Sequence, residues 1–245
     1  MRTAAGLRIQ QVVSQKRAAA EYAVSFVRSG MVVGLGAGTT AAYAVRAIAA
    51  NLDQGKLRGI VGVACSNEVE AVAGRLGIPL TTLEDCHTID LTIDGADEVD
   101  PDLNLIKGGG GALLREKIVA LASRREVIVA DASKPSRRLG THVSIPVEVV
   151  PFGWGLQRRF VEQLGAHVSL RQARNGEPFR TDQGNFILDC AFGPIGNVTA
   201  LARELDCRIG IVEHGLFLGL ATDLVVGTQQ GVEHTTHRGG GLKYD

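Results

Sequence analysis

Four side chains able to move protons fall within one short stretch: Asp94, Asp97, Lys107 and Glu116. The stretch reads Asp90-Leu-Thr-Ile-Asp-Gly-Ala-Asp-Glu-Val-Asp100, a short turn, Asn104-Leu-Ile-Lys107, four glycines from Gly108 to Gly111, then Ala112-Leu-Leu-Arg-Glu-Lys117. Leu91 and Ile93 suit the buried side of a strand, which would leave Asp94 and Asp97 at or past its end. Lys107 stands just before the glycines, where backbone can approach a ligand without interference from Cβ. Glu116 sits in the first turns of an apolar helix carrying Leu113, Leu114, Ile118 and Val119. One strand–loop–helix unit thus converges carboxylates and a cation, an acid/base kit for a small polar substrate. The plain alternative is that Asp-Gly marks a turn and that Asp97, Glu98, Asp100 and Asp102 line a solvated loop. The combination of acids at a strand exit, a lysine, a glycine turn and a helical glutamate favours chemistry.

A second group of residues suits an anion. Residues 31–34 read as a buried strand running into Gly34-Leu35-Gly36-Ala37-Gly38-Thr39-Thr40 and an alanine-rich helix to about residue 50. A glycine loop between strand and helix aims backbone N–H groups at a phosphate. No Gly-Lys-Ser/Thr follows, so this is not a P-loop, and the spacing does not fit a dinucleotide fingerprint. Thr39 and Thr40 would add hydroxyl donors suited to a phosphate monoester, or would merely cap the helix. Lys16, expected in the first turn of a helix over 14–29, is poorly placed against the helix dipole unless an anion offsets it. Lys134, after the buried strand 127–130, is a candidate for the same site or a surface lysine before a proline turn.

The elements that must position these groups follow from the pattern. The chain has 245 residues, is 45% hydrophobic and carries 26 basic and 26 acidic side chains, so a large core forms and no polyanion-binding surface is expected. Nucleic acid and membrane are therefore not expected partners. Cys65, Cys86, Cys190 and Cys207 form no Cys-x-x-Cys pair, which suits reduced thiols in the cytoplasm. Residues 1–13 read as a loose arm. Helix, strand, helix, strand, helix and strands at 78–83 and 88–93 predict a mostly parallel, doubly wound, Rossmann-like α/β sheet. Its loops after Gly34, Cys65, Asp94 and Asp131 would open on one edge, where such sheets bind ligands. From about residue 141 the order is βαββαβ, a smaller ferredoxin-like α+β domain with no chemistry of its own. A strand at 224–226 would return to the first sheet. The expected division is 1–140 with 218–245, and 141–217. His234 and His237 form a His-x-x-His pair lacking a third ligand, so no metal is expected. The glycine-rich end reads as mobile.

These segments resemble the ribose-5-phosphate isomerase A family from Lys16 to about Val232. The resemblance rests on Val33-Gly-Leu-Gly-Ala-Gly-Thr-Thr40, Ile93-Asp-Gly-Ala-Asp-Glu98, Ile106-Lys-Gly-Gly-Gly-Gly-Ala112 with Arg115-Glu-Lys117, and Val129-Ala-Asp-Ala-Ser-Lys134. Pro146-Val-Glu-Val149 and Thr181-Asp-Gln-Gly-Asn185 match parts with less chemistry. The resemblance implies interconversion of D-ribose 5-phosphate and D-ribulose 5-phosphate, without metal or organic cofactor, by a homodimer or homotetramer. It implies Glu116 as general base through an enediolate, Asp94 in opening the furanose ring, and Asp97 and Lys107 on the substrate oxygens. It implies a binding shell of Lys16, Gly36, Gly38, Thr39, Thr40, Gly95, Gly108, Gly109 and Lys134. The family's glycine loop usually has Thr where this chain has Ala37. The competing class is a sugar-phosphate-sensing regulatory domain of the same fold. The 13 residues ahead of Ser14 are too few for a DNA-binding helix-turn-helix, and the acid/base set favours an enzyme.

Overall fold

The structure, a computed structural model, describes residues 4–237. Helix α1 (Ala4–Val24) leads into strand β1 (Val32–Leu35), helix α2 (Gly38–Asp53), strand β2 (Val61–Ala64), helix α3 (Asn67–Arg75) and strand β3 (Leu91–Gly95). Short strands β4 (Glu98–Val99) and β5 (Leu105–Ile106) precede helix α4 (Leu113–Leu121) and strand β6 (Glu126–Asp131). Next come β7 (Ile145–Val149), α5 (Trp154–Gln163), β8 (His167–Leu170), β9 (Phe186–Ala191), α6 (Val198–Asp206) and β10 (Ile211–His214). Strands β11 (Leu216–Phe217), β12 (Asp223–Gly227) and β13 (Val232–Thr236) follow. Local chemistry sets several of these ends. Ser66 accepts a hydrogen bond from the Val69 amide at 3.1 Å and Asn197 from the Ala200 amide at 2.9 Å, each satisfying an orphan donor of its helix. Gly77, with φ +74°, closes α3 in the left-handed region.

The chain divides into two compact units. The first takes the chain up to Ala96, then Ile118–Lys134 and the chain from Gly219 on. Its six-stranded sheet has the order β13-β12-β6-β3-β1-β2, parallel throughout except for β13. The strand order reverses between β1 and β3, so the crevice at the carboxyl ends of those two strands is the expected binding place. Ala19, Ala20 and Ala23 of α1 and Val45 and Ile48 of α2 pack with Val33, Leu91, Ile93 and Val127 in its core. The second unit comprises Asp97–Lys117 and Pro135–Leu218. Its four-stranded sheet has the order β10-β7-β9-β8, antiparallel throughout, which is the ferredoxin-like order for βαββαβ. Strands β11, β5 and β4 form a further sheet in the same unit.

Several expectations are corrected. The segment read as a loose arm is helical from Ala4, because a helix nucleated by the packed alanines of α1 propagates cheaply through Ala, Arg and Gln. Ser14 is therefore inside the helix, and Lys16 is far from its N-terminus, so no dipole penalty falls on it. The helix also ends at Val24 rather than 29. The strand expected over 78–83 is a single bridge between Gly62 and Leu80. The stretch with His234 forms strand β13, which pairs with β12 although most of its side chains face water. The glycine-rich end read as mobile, in 238–245, lies outside the described residues. Residues 97–117 belong to the second unit instead of the first, because β5 pairs with both β4 and β11 and the Lys107 amide donates to Gly215 O at 2.9 Å. No described helix is long and apolar enough to cross a membrane.

Candidate active site

In the first unit, the parallel register brings the ends of β1, β3, β6 and β12 to one edge. Glycine permits the approach of the first two. A Cβ on Gly36 would lie 2.4 Å from Asp94 Cα and 2.3 Å from its Oδ1. Asp94, fully buried, accepts hydrogen bonds at Oδ1 from the Ala37 amide at 3.0 Å and from its neighbour Gly95 at 2.7 Å. The carboxylate thereby fixes the loop that enters α2. Ala37 is the cap residue and supplies no side-chain bond. Neither threonine is therefore the cap: Thr39 is exposed and accepts a hydrogen bond from Lys16 Nζ at 2.9 Å, while Thr40 is buried. Lys16 Nζ also lies 3.9 Å from Asp131 Oδ2. Asp131 holds the turn after β6 by accepting from the Ser133 amide at 3.0 Å, and the Lys134 amide closes that turn onto Asp131 O. First-turn N–H groups of α2, two threonines and a lysine on one edge have the chemistry to hold an anion.

In the second unit, Lys107 leaves β5 directly into the interior. Its side chain is 2% exposed, and Nζ donates to Glu116 Oε1 at 3.2 Å; the Glu116 side chain is 6% exposed. The ammonium lies 5.6 Å from the centroid of the Phe217 ring. An unpaired charge at this depth would be costly, and the opposite charge and the ring offset that cost. Between the two residues the glycines form a turn. Gly108, at φ +93°, and Gly111, at φ +88°, need a left-handed backbone, and a Cβ on Gly111 would strike the Phe179 ring at 2.5 Å. Asp97 Oδ2 accepts from the Gly109 amide at 2.8 Å. The turn and the ion pair make a compact set for taking a proton from carbon and opposing the charge left on oxygen.

The four acids read as a possible solvated loop part company here. Asp97 binds the glycine turn. Glu98 is fully buried and accepts from the amides of residues 140–143 at 3.1 to 3.3 Å, a structural clamp. Asp100 folds the 100–104 turn through the amides of Asp102 and Asn104. The solvated reading holds for Asp102. Sequence reasoning missed Asp131, Glu98 and a pair on the second sheet. Arg171 donates through Nη1 to Gly108 O and Gly109 O, each at 3.0 Å, and Asp189 grips its guanidinium through both oxygens. A register between β8 and β9 would have been needed to foresee it. Among the described residues, Asp206, Glu213 and His214 come close enough to share a metal, but Lys117 Nζ already donates to Glu213 and to His214 O. His234 binds Asp223 at 2.7 Å.

The buried lysine–glutamate pair on the glycine turn of the second unit suits proton transfer, and the glycine loop on the doubly wound sheet of the first suits an anion. A model of the family ribose 5-phosphate isomerase A (phosphoriboisomerase A) matches residues 61–231. A ribose-5-phosphate isomerase A of Chloroflexus aurantiacus is 59% identical, over 91% of this chain and 93% of that protein. One from Desulfatibacillum aliphaticivorans is 53% identical over 89% and 94%. Among solved structures, a D-ribose-5-phosphate isomerase in complex with phospho-erythronic acid superposes with a TM-score of 0.90 at 36% identity, covering 92% of this chain and 99% of that one. Ribose 5-phosphate isomerase from Plasmodium falciparum gives 0.89 at 38% identity, with the same coverage. The chain belongs to the ribose 5-phosphate isomerase A family.

Proposed function

We infer that this chain interconverts D-ribose 5-phosphate and D-ribulose 5-phosphate, and propose how its residues divide the work. Glu116 takes the proton from C2 of the opened aldose and, once the hydroxyl proton has passed from O2 to O1, returns it to C1. The electron pair left on carbon becomes an enediolate, whose oxygen is opposed by Lys107 and by N–H groups of the turn that begins at Gly108 and Gly109. Asp97 holds substrate hydroxyls. Asp94, with Gly95 beside it, serves the proton exchange that opens the furanose ring. Lys16, Gly36, Gly38, Thr39, Thr40 and Lys134 take the phosphate. The Lys107–Glu116 ion pair, both partners out of water, carries this reading.

Glu116→Gln keeps shape and volume and removes the base. Substrate binding and the folded state are expected to survive while turnover falls to background. Full activity in that variant, measured by a coupled ribulose 5-phosphate assay, would reject the role. A homodimer or homotetramer is supported by apolar side chains left in solvent on the second unit. Phe152 is 94% and Ile209 93% exposed, on segments joined by the Val150 amide to Gly210 O at 3.0 Å. Sedimentation of Phe152→Asp/Ile209→Asp would show a lighter particle. The four cysteines are free thiols, in keeping with a cytoplasmic setting.

A further inference from the structure

We propose that Arg171 is a positioning residue for the reaction: it turns the peptides of the 108–111 turn so that the Gly109 N–H is held by Asp97 and the Gly110 N–H faces the reacting oxygen. The inference rests on the roles given above to Glu116 and Lys107. It assigns the second sheet a part in the chemistry that its sequence did not suggest.

The geometry is that of a fork. Arg171 Nη1 reaches Gly108 O and Gly109 O at once, both at 3.0 Å. The remaining side of the guanidinium is taken by Asp189, which accepts from Nε at 2.9 Å and from Nη2. Asp189 stands on β9 opposite Ser169 of β8, so the clamp is anchored in a paired ladder. A trans peptide is planar, and its N–H points opposite its C=O. Two successive carbonyls drawn to Arg171 therefore send the amides of Gly109 and Gly110 to the other face. The Gly109 amide meets Asp97 there, at 2.8 Å. The Gly110 amide is directed to the same face, and a Cβ on Gly110 would meet nothing within 4 Å. Gly109 and Gly110 are both exposed, so this part of the turn can be reached from solvent.

Charge adds to direction. A cation bound at a carbonyl polarises the peptide and strengthens its N–H as a donor. Phe179 and the Gly111 amide, which donates to Gly108 O at 3.0 Å, hold the far end of the turn. Glycine is otherwise free to swing, so without the fork the turn would sample conformations in which these amides face elsewhere. Arg171 touches no substrate atom in this account. It acts through the turn, and the enediolate has more to gain from it than the bound ground state.

Steady-state kinetics of Arg171→Ala and Arg171→Lys test this. For Arg171→Ala, kcat is expected to fall about 10- to 100-fold, less than the loss of a whole oxyanion donor, with KM changed less than about threefold. Guanidinium ion added to Arg171→Ala is expected to restore part of kcat, which a merely loosened fold would not show. Arg171→Lys keeps the charge without the planar fork and is expected to lose at least about fivefold in kcat. Should Arg171→Ala not fold, the lysine variant decides alone. Wild-type kcat in Arg171→Lys, or a loss confined to KM in either variant, overturns the proposal. Glu116→Gln is assayed alongside. Retained turnover in that variant defeats the reading of the base, whereas an inactive Glu116→Gln beside fully active Arg171 variants defeats the positioning role alone.

Discussion

Gly36→Ala tests whether the approach of β1 to β3 fixes the site. Gly36 is not a left-handed position, so a side chain there meets no backbone penalty of its own. The added Cβ would instead lie 2.4 Å from Asp94 Cα, where ordinary contact begins near 3.4 Å. The loop or the strand end must give by about 1 Å, and a backbone atom cannot rotate away as a side-chain tip can. β3 is paired on both sides, to β1 and β6, and the Gly36 amide itself donates to Ile93 O at 3.0 Å. Overpacking of this kind costs about 1–3 kcal/mol, or roughly 3–10 °C in Tm for a chain of this size. The bond from the Ala37 amide to Asp94 breaks first, and isomerase kcat is expected to fall at least about tenfold, as for other displacements near 1 Å. Gly74→Ala is the control. Gly74 lies inside α3 with nothing within 4 Å of a new Cβ, so the same substitution should stabilise by about 0.5–1 kcal/mol. Thermal unfolding and kinetics on both variants decide the matter. A Gly36→Ala enzyme with wild-type Tm and kcat would refute the steric argument.

Four further outcomes are expected. Ala37→Thr supplies the missing cap hydroxyl at α2; it should add about 0.5–1 kcal/mol and lower the inhibition constant of inorganic phosphate, read by competition kinetics. Glu98→Gln turns a donor group toward the four amides of residues 140–143; a loss of about 2–4 kcal/mol is expected in urea unfolding. Burial pushes the Asp223 carboxyl up, but hydrogen bonds from Arg125, Thr222 and His234 outweigh it and hold the group at about 2, below its ordinary 3.8. The folded value is depressed, so this stabilisation is complete above about pH 4 and is lost as pH falls through about 2; Asp223→Asn should flatten the urea midpoint over that window. Lys107→Met and Glu116→Gln each remove one partner of the buried ion pair and should each lower stability by about 3 kcal/mol without unfolding the chain, whereas the double variant should recover stability, though not turnover, in a double-mutant cycle.

Elements that were legible in the sequence are those whose signals are local. The caps at Ser66 and Asn197 are signals of this kind, because the cap bond spans three residues. The alternation of helices and buried strands was enough for the doubly wound sheet, and the βαββαβ order for the smaller one. What failed depended on distant partners. α1 begins at Ala4 although Ile9 is 66% exposed. β13 exists because β12 offers a ladder, and its own side chains carry little signal. The site divides along the same line. Lys107, the glycines and Glu116 were legible because nine residues of one chain hold them together. Arg171 and Asp189 were not, since only a strand register brings them to the turn.

Charge balance explains why a lysine and a glutamate are kept together out of water at such cost. With a neutral sugar at the reacting carbons, the Lys107–Glu116 pair sums to zero. In the proposed step, when Glu116 accepts the proton from carbon, its negative charge disappears and an equal one appears on the enediolate oxygen. The ammonium loses one anion and gains another within reach of the same side chain. No net charge is created or removed in the buried region during the step, so the low dielectric that strengthens each interaction does not raise the barrier. A solvated lysine would be screened and would reorganise water at each transfer, whereas one fixed over Phe217 does neither. On the proposed mechanism the turn presents the Gly110 N–H before the proton moves. An amide that had to rotate into place would leave the new oxyanion momentarily with the ammonium as its sole support. That order of events is the one the role proposed for Arg171 would serve, through its bonds to Gly108 O and Gly109 O.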